Sequence, residues 1–235
     1  MQKLFLSRHF KVVSSLRAVD RPFDELRAVD RPLDDWGLWC KRAQDLIVSA
    51  AALLLLSPVI AATAMAIKLE TPGPVLFRQR RVGLNGQTFE LLKFRSMNAS
   101  QADADAVRQT EREDERVTRV GRIIRRTSLD ELPQFFNVLH GVMSVVGPRP
   151  HALGTRVEGR ALPDVIDGYF ARHRVKPGVT GWAQVNGFRG ELDTVEKLRQ
   201  RVRYDVEYIE NWSTWVDLKI ILRTALLMIR DPNAY

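Results

Sequence analysis

The strongest constraint on this chain is an uncharged run at residues 46–67, LIVSAAALLLLSPVIAATAMAI. As a straight helix it would measure about 33 Å, enough to cross a hydrocarbon core of roughly 30 Å. It begins too deep in the chain for a signal peptide, although Ala62-Thr63-Ala64 looks like a small-residue cleavage site. Ser57-Pro58 lies near its middle. Pro58 has no N–H for the Leu54 carbonyl, and its ring clashes with that turn. Ser57 can bond back to the Leu53 carbonyl, which helps to bend a helix. Lys41 and Arg42 precede the run and Lys68, Arg78, Arg80 and Arg81 follow it, so the positive-inside rule puts neither end comfortably outside. A helix that enters, breaks at Ser57-Pro58 and returns satisfies both ends. On these residues alone, a spanning helix and a re-entrant one both stay open. Trp36 and Trp39 stand where interfacial anchors belong.

Charge narrows the partners. Lys and Arg number 36 against 28 Asp and Glu, a net charge of +8. Such a balance suits nucleic acid, an anionic membrane or phosphorylated substrates. No nucleic-acid motif accompanies it. The single cysteine, Cys40, excludes an intrachain disulfide, and the four histidines (His9, His140, His151, His173) lack zinc-ligand spacing. Residues 1–35 hold a tandem ten-residue repeat, Leu16 to Glu25 and Leu26 to Asp35, with Arg-Pro in each copy. Two copies are too few for a solenoid, so the region reads as a flexible extension.

Residues 36–70 form the membrane-inserted segment, and residues 71–235 form the rest. Val75-Leu76-Phe77 and Thr88 to Leu92 read as strands joined through Gly83-Leu84-Asn85-Gly86. Residues 100–126 are charged and helical in type. Their acidic residues, from Asp103 to Glu115, match no EF-hand loop. Residues 151–175 read as helical and surface-bound, and 191–210 as a charged helix. Lys176 to Gly187 is dense in turn residues, as in a loop built to approach a ligand. The helix Val216 to Arg230 is apolar except at a few positions, with Lys219, Arg223 and Arg230 within about 40° of one another at 100° per residue. That pattern suits an anionic membrane surface, with Trp212 and Trp215 as anchors; a core helix with snorkelling cations is the alternative.

The stretch RRTSLDELPQFFNVLHGVMSVVGPRP, residues 125–150, carries the chemistry. With Asp130 at a helix N-cap, Pro133 becomes the third helical residue, where its missing N–H is tolerated. The acidic pair Asp130-Glu131 would then face the positive end of the helix dipole. Acidic residues in a first turn are usually only caps. Here arginines suited to phosphate surround the pair, and Gly147-Pro148-Arg149-Pro150 holds one guanidinium in a stiff turn. Ionised carboxylates beside such arginines suit phosphoryl chemistry.

Five motifs occur in order: the apolar segment with Ser57-Pro58, Lys93-Phe94-Arg95-Ser96-Met97, Ser128-Leu129-Asp130-Glu131-Leu132-Pro133-Gln134, Gly147-Pro148-Arg149-Pro150, and Pro177-Gly178-Val179-Thr180-Gly181-Trp182. Together they resemble the bacterial sugar transferase family, the monotopic polyprenyl-phosphate phosphoglycosyl transferases, from about residue 40 to the C-terminus. Asn211-Trp212-Ser213 and the Asn233-Ala234-Tyr235 end look most like the branch that transfers glucose-1-phosphate or galactose-1-phosphate for exopolysaccharide. The resemblance implies an α+β fold, mainly helical, with a small β-hairpin or sheet and a re-entrant helix broken at Ser57-Pro58. It implies transfer of a hexose-1-phosphate from a UDP-sugar to undecaprenyl or another polyprenyl phosphate, through a covalent aspartyl intermediate, on the cytoplasmic leaflet of the inner membrane. Asp130 would be the nucleophile, and Asp130 and Glu131 would hold Mg²⁺. Lys93, Arg95, Arg125 and Arg149 would bind substrate phosphate. A membrane-tethered scaffold and a basic nucleic-acid-binding protein are the competing readings, and neither accounts for the acidic pair beside the stiff Arg149 turn.

Overall fold

The computed structural model describes residues 35–98, 114–190 and 192–230. The tandem repeat up to Asp34, the acidic residues from Asp103 to Glu113 and the Asn233-Ala234-Tyr235 end lie outside them.

The apolar run is shared by two helices, α1 (Asp35–Leu55) and α2 (Ser57–Glu70), bent by 61°. The bend has a local cause. Pro58 falls in the first turn of α2, where its missing N–H removes no bond within that helix. The Leu54 carbonyl that it leaves behind accepts the Ser57 hydroxyl at 2.8 Å. The hydroxyl thus bonds to Leu54, not to the expected Leu53, and fills the vacancy that the proline makes. Among the described residues no single helix is long and apolar enough to cross a membrane, but the bent pair has the length and composition together.

Burial on α1 is inverted relative to a water-facing helix. Lys41, Asp45 and Ser49, four residues apart, point into the protein, while Trp36, Trp39, Ile47, Leu54 and Leu55 stay at least 70% exposed. Lys41 Nζ donates to the Asp217 carboxylate at 2.7 Å and to the Val146 carbonyl at 3.0 Å. Asp45 accepts from the Ser144 hydroxyl and the Val145 amide, each at 2.9 Å. Polar pegs therefore fix the helix to the globular part, and its apolar face is left outward.

The expected hairpin is present as β1 (Leu76–Val82) and β2 (Thr88–Phe94), antiparallel, with β1 longer than expected. Its register sets Phe77 opposite Lys93, Gln79 opposite Leu91 and Arg81 opposite Phe89, on one face. Helix α3 (Arg119–Arg126) follows, its first N–H groups taken by Thr118 and by Glu70 from the end of α2. Next come α4 (Gln134–His140) and β3 (Ser144–Val146). Strand β3 pairs in parallel with β6 (Gly178–Thr180), and α5 (Trp182–Val185), α6 (Val195–Glu210) and α7 (Thr214–Arg230) complete the chain. Val138, Met143, Val146, Tyr208, Ile209 and Ile220 from these elements form the main core. The fold is α+β, mainly helical with small sheets.

Three expectations need correction. Residues 151–175 are not a surface helix: β4 (Arg156–Val157), β5 (Arg160–Ala161) and short 3-10 turns fill them, with Leu162, Ile166, Tyr169 and Arg172 buried. Gly159 and Gly168, both at positive φ, break any helical continuity there. In 176–187, Gly178 and Gly181 serve backbone packing against Gly147. A Cβ on Gly178 would lie 2.1 Å from the Gly147 amide nitrogen, so only glycine lets β6 meet the turn after β3. On α7, Trp215 is exposed as an anchor would be, but the half-buried Trp212 donates its indole N–H to Asp217 at 3.1 Å. The charged helix of 191–210 is α6, and its inner face buries Arg201 and Asp205.

Candidate active site

The acidic pair does not begin a regular helix. Residues Leu129–Glu131 form a 3-10 turn whose N-cap is Ser128, in the left-handed region at φ 58°. Pro133 is the N-cap of α4. The expectation of Asp130 as the cap of a continuous helix fails because Pro133 has no N–H with which to continue the ladder, so the turn and the helix separate at that residue. Both carboxylates are buried. Arg189 donates to the Ser128 hydroxyl and braces the left-handed residue.

The two acids have different environments. Glu131 is clamped by both terminal nitrogens of Arg149, one at 3.1 Å and the other in a very short contact. That bidentate geometry is the strong form of a charged hydrogen bond. Asp130 Oδ1 is buried with no hydrogen-bond partner among the described residues. Burial pushes the Asp130 carboxyl up to about 7, the Glu131 charge adds to this, and Lys93, Arg125 and Arg149 pull against both. Burial would also raise Glu131, but Arg149, by charge and hydrogen bonding, and then Arg189 and Lys93 hold it down at about 2. Adjacent acids pushed apart in this way take different roles. The two carboxyls therefore differ: Arg149 favours the charged form of Glu131, whereas burial and the Glu131 charge disfavour it at Asp130.

The cations come from three directions. Burial lowers the Lys93 ammonium to about 8, Arg81 and Arg125 add to the shift, and Asp130 and Glu131 oppose it. Lys93 Nζ donates to Gln79 Oε1 at 3.2 Å, and Arg81 donates to the same oxygen at 2.6 Å. The Arg149 turn is held from behind, its own carbonyl accepting from Arg172 at 2.7 Å and the Pro150 carbonyl from Arg81 at 2.9 Å. Arg125, half-buried at the end of α3, acts on Asp130 and Lys93 by charge.

Lys93, Arg125 and Arg149 are thus brought to the carboxylates. Arg95 is placed elsewhere: its guanidinium donates to the Thr71 and Pro72 carbonyls and the Thr71 hydroxyl, pinning the turn that leads from α2 to β1. Gln79, Arg81 and Arg189 belong to the site but were not legible as such. The signal for the first two was period-two alternation, since residues 79, 81 and 93 share one face of the hairpin. Arg189 carried none.

Among the described residues, no group of three or more His, Cys, Asp or Glu side chains is placed to hold a metal ion. Mg²⁺ needs no such group, because it keeps waters and binds through one or two carboxylates plus substrate phosphates. The unpartnered Asp130 Oδ1 fits that demand. Each Glu131 oxygen already accepts from Arg149, so Glu131 fits it less well.

The chain is 54% identical over 214 residues to the undecaprenyl-phosphate glucose phosphotransferase of Komagataeibacter xylinus, which covers 91% of this chain and 40% of the relative. It is 52% identical over 195 residues to the UDP-glucose:undecaprenyl-phosphate glucose-1-phosphate transferase of Escherichia coli (83% of this chain, 41% of the relative). It is 47% identical over 186 residues to the exopolysaccharide production protein PSS of Rhizobium leguminosarum bv. phaseoli (79% and 93%). The chain therefore spans about two fifths of the length of the first two relatives. The bacterial sugar transferase family model matches residues 36–231, and the chain belongs to that family.

Proposed function

We propose that this protein transfers a hexose-1-phosphate from a UDP-hexose, glucose first among candidates, to polyprenyl phosphate by way of Asp130. The observation that carries the reading is the unpartnered, buried Asp130 Oδ1 among Lys93, Arg125 and Arg149, beside a Glu131 already locked to Arg149. An Asp130 oxygen attacks the β-phosphorus of the UDP-sugar. A P–O bond forms to Asp130, the bond to the bridging oxygen breaks, and UMP leaves with that oxygen. A phosphate oxygen of the polyprenyl phosphate then attacks the same phosphorus, forming the diphosphate link and returning Asp130 as a carboxylate. Lys93, Arg125 and Arg149 stabilise the charge on the phosphoryl oxygens throughout. Glu131 keeps Arg149 in place. Asp130, more readily than the Arg149-bound Glu131, would hold Mg²⁺, which would supply neutralising charge to the substrate phosphates.

Release of UMP from a panel of UDP-hexoses, with and without undecaprenyl phosphate, tests this from pH 5 to pH 10. Ionising Asp130 creates the nucleophile, so the rate should fall toward acid pH, with the midpoint about 7 in the metal-free site and lower wherever Mg²⁺ is bound. Deprotonating Lys93 removes a phosphate partner, so the rate should fall beyond about 8. Lys93→Arg should retain activity on the alkaline side. No UMP from any UDP-hexose sinks the enzyme reading, and a flat profile sinks the assigned roles.

The bent helix pair serves, in this reading, as a re-entrant membrane anchor on the cytoplasmic face of the inner membrane. Residues 71–235 act as the catalytic domain, with α7 along the interface. The outward apolar face of α1, with polar pegs on its inner side, supports this, since a water-facing helix would show the reverse. In a Cys40→Ser background, Ser15→Cys and Gln87→Cys should both resist an impermeant thiol reagent in intact cells. Labelling of one and not the other would indicate a spanning helix.

A further inference from the structure

A second anion site is built into the fold away from the acidic pair. A cavity of about 850 Å³ opens where the start of α1 meets the hairpin tip, the 3-10 segment Tyr169–Arg174 and the residues before β6. It shares no lining residue with the Asp130 site. Strand β2 separates the two, with Lys93 about 17 Å along it from Thr88 at 3.3–3.4 Å per residue. Four cations (Lys41, Arg42, Arg174, Lys176) line the cavity against two carboxylates, Asp35 and Asp45. The Arg42 guanidinium donates to the Val138 and Leu139 carbonyls, at 2.6 and 2.7 Å. Burial, then Arg42 and Lys41, lower the Lys176 ammonium against the pull of Asp45, so positive charge is crowded there.

The independent observation is His173. Its side chain is 6% exposed and lines the cavity, and neither ring nitrogen has a hydrogen-bond partner among the described residues. A buried imidazole left unsatisfied on both sides costs free energy unless something in the cavity completes it. Two apolar side chains stand exposed at its mouth, Leu38 at 53% and Phe170 at 61%, beside the polar Asp35 and Asn85. A phosphate with an attached apolar chain matches both halves, and a free phosphate matches only the cationic half.

We propose that this cavity binds the phosphate headgroup of an anionic membrane lipid through Lys176, Arg174 and His173, separately from the acceptor lipid at Asp130. The inference rests on the membrane reading above. Native mass spectrometry of the full chain in neutral detergent tests it with dioctanoyl phosphatidylglycerol, dioctanoyl phosphatidylcholine and inorganic phosphate as probes. Wild type should retain one phosphatidylglycerol. Lys176→Gln and, as a second variant, His173→Phe should each weaken retention about tenfold, the worth of one charge-assisted hydrogen bond. Arg160→Gln, an exposed cation on β5, should not. Equal retention of phosphatidylcholine, unchanged retention in both cavity variants, or displacement by equimolar inorganic phosphate would each overturn the proposal, the last by making the ligand a soluble anion. Flotation on phosphatidylcholine vesicles tests the membrane reading separately. A chain that fails to float yet retains phosphatidylglycerol in detergent, sensitively to Lys176→Gln, supports this cavity and sinks that reading.

Discussion

Asp130→Asn should lower UMP release by about 10⁴-fold or more, the scale on which removal of a nucleophile acts, while leaving the fold intact. The shape of the side chain is kept and only the attacking oxygen's charge and basicity are lost. Stability should not suffer, because burial already disfavours the charged form of Asp130 and holds its carboxyl near 7. Glu131→Gln is the informative companion. It removes the charged partner of Arg149 and should also lower activity, through loss of the clamp, but it leaves the attacking oxygen in place. A covalent intermediate should therefore still form slowly in Glu131→Gln and not at all in Asp130→Asn. If Asp130→Asn keeps activity within tenfold of wild type, the nucleophile lies elsewhere. Equal loss in both variants, with no intermediate in either, would point to a shared metal-holding role in place of the division proposed here.

The second large effect is on stability. Arg172 is 1% exposed and Asp205 2%, and the two are joined by nitrogen–oxygen contacts of 2.9 and 2.7 Å. Arg172 also reaches His151 Nδ1 at 2.7 Å. Burial, then Arg172 and Arg201, keep that imidazole neutral, so it can accept there. Arg172→Met strands the Asp205 carboxylate, a loss of the kind that costs about 3–5 kcal/mol. The lower end is expected because Arg201 stays within reach of Asp205 by charge. At about 2–4 °C per kcal/mol for a chain of this size, the melting temperature in detergent should fall by roughly 6–12 °C. The double variant Arg172→Met/Asp205→Leu should recover part of this, since no carboxylate is left stranded, while the buried Arg201 loses the Asp205 charge and keeps the recovery incomplete. It should not recover activity, because the Arg149 carbonyl still lacks its donor and the guanidinium turn loosens. A double variant no more stable than the single one would show that the pair is not the source of the cost.

Legibility in the sequence followed the range of the interactions. The hairpin, the break at Ser57-Pro58 and the apolar character of the first helices depend on neighbours in the chain, and these were readable. So was the grouping of Asp130, Glu131 and Arg149, because proline and glycine fix local geometry. Residues 151–175 were misread since their burial comes from long-range partners such as Asp205, 33 residues beyond Arg172. The same reason hid the division between the two acids: Glu131 is held down by Arg149, 18 residues away, and Arg189 reaches Ser128 across 61. Arg95 was misplaced in the other direction. A basic residue at a strand end looks available, but a backbone turn takes up its guanidinium.

The central claim is that Asp130 carries the sugar phosphate, and intact-mass spectrometry of the purified chain with UDP-glucose and no acceptor lipid tests it most directly. The account predicts UMP release with a gain of one hexose phosphate on the peptide that contains Asp130, and its discharge when undecaprenyl phosphate is added. Product formation in the presence of acceptor, with no adduct and no UMP in its absence, would contradict it and require direct transfer between the two substrates.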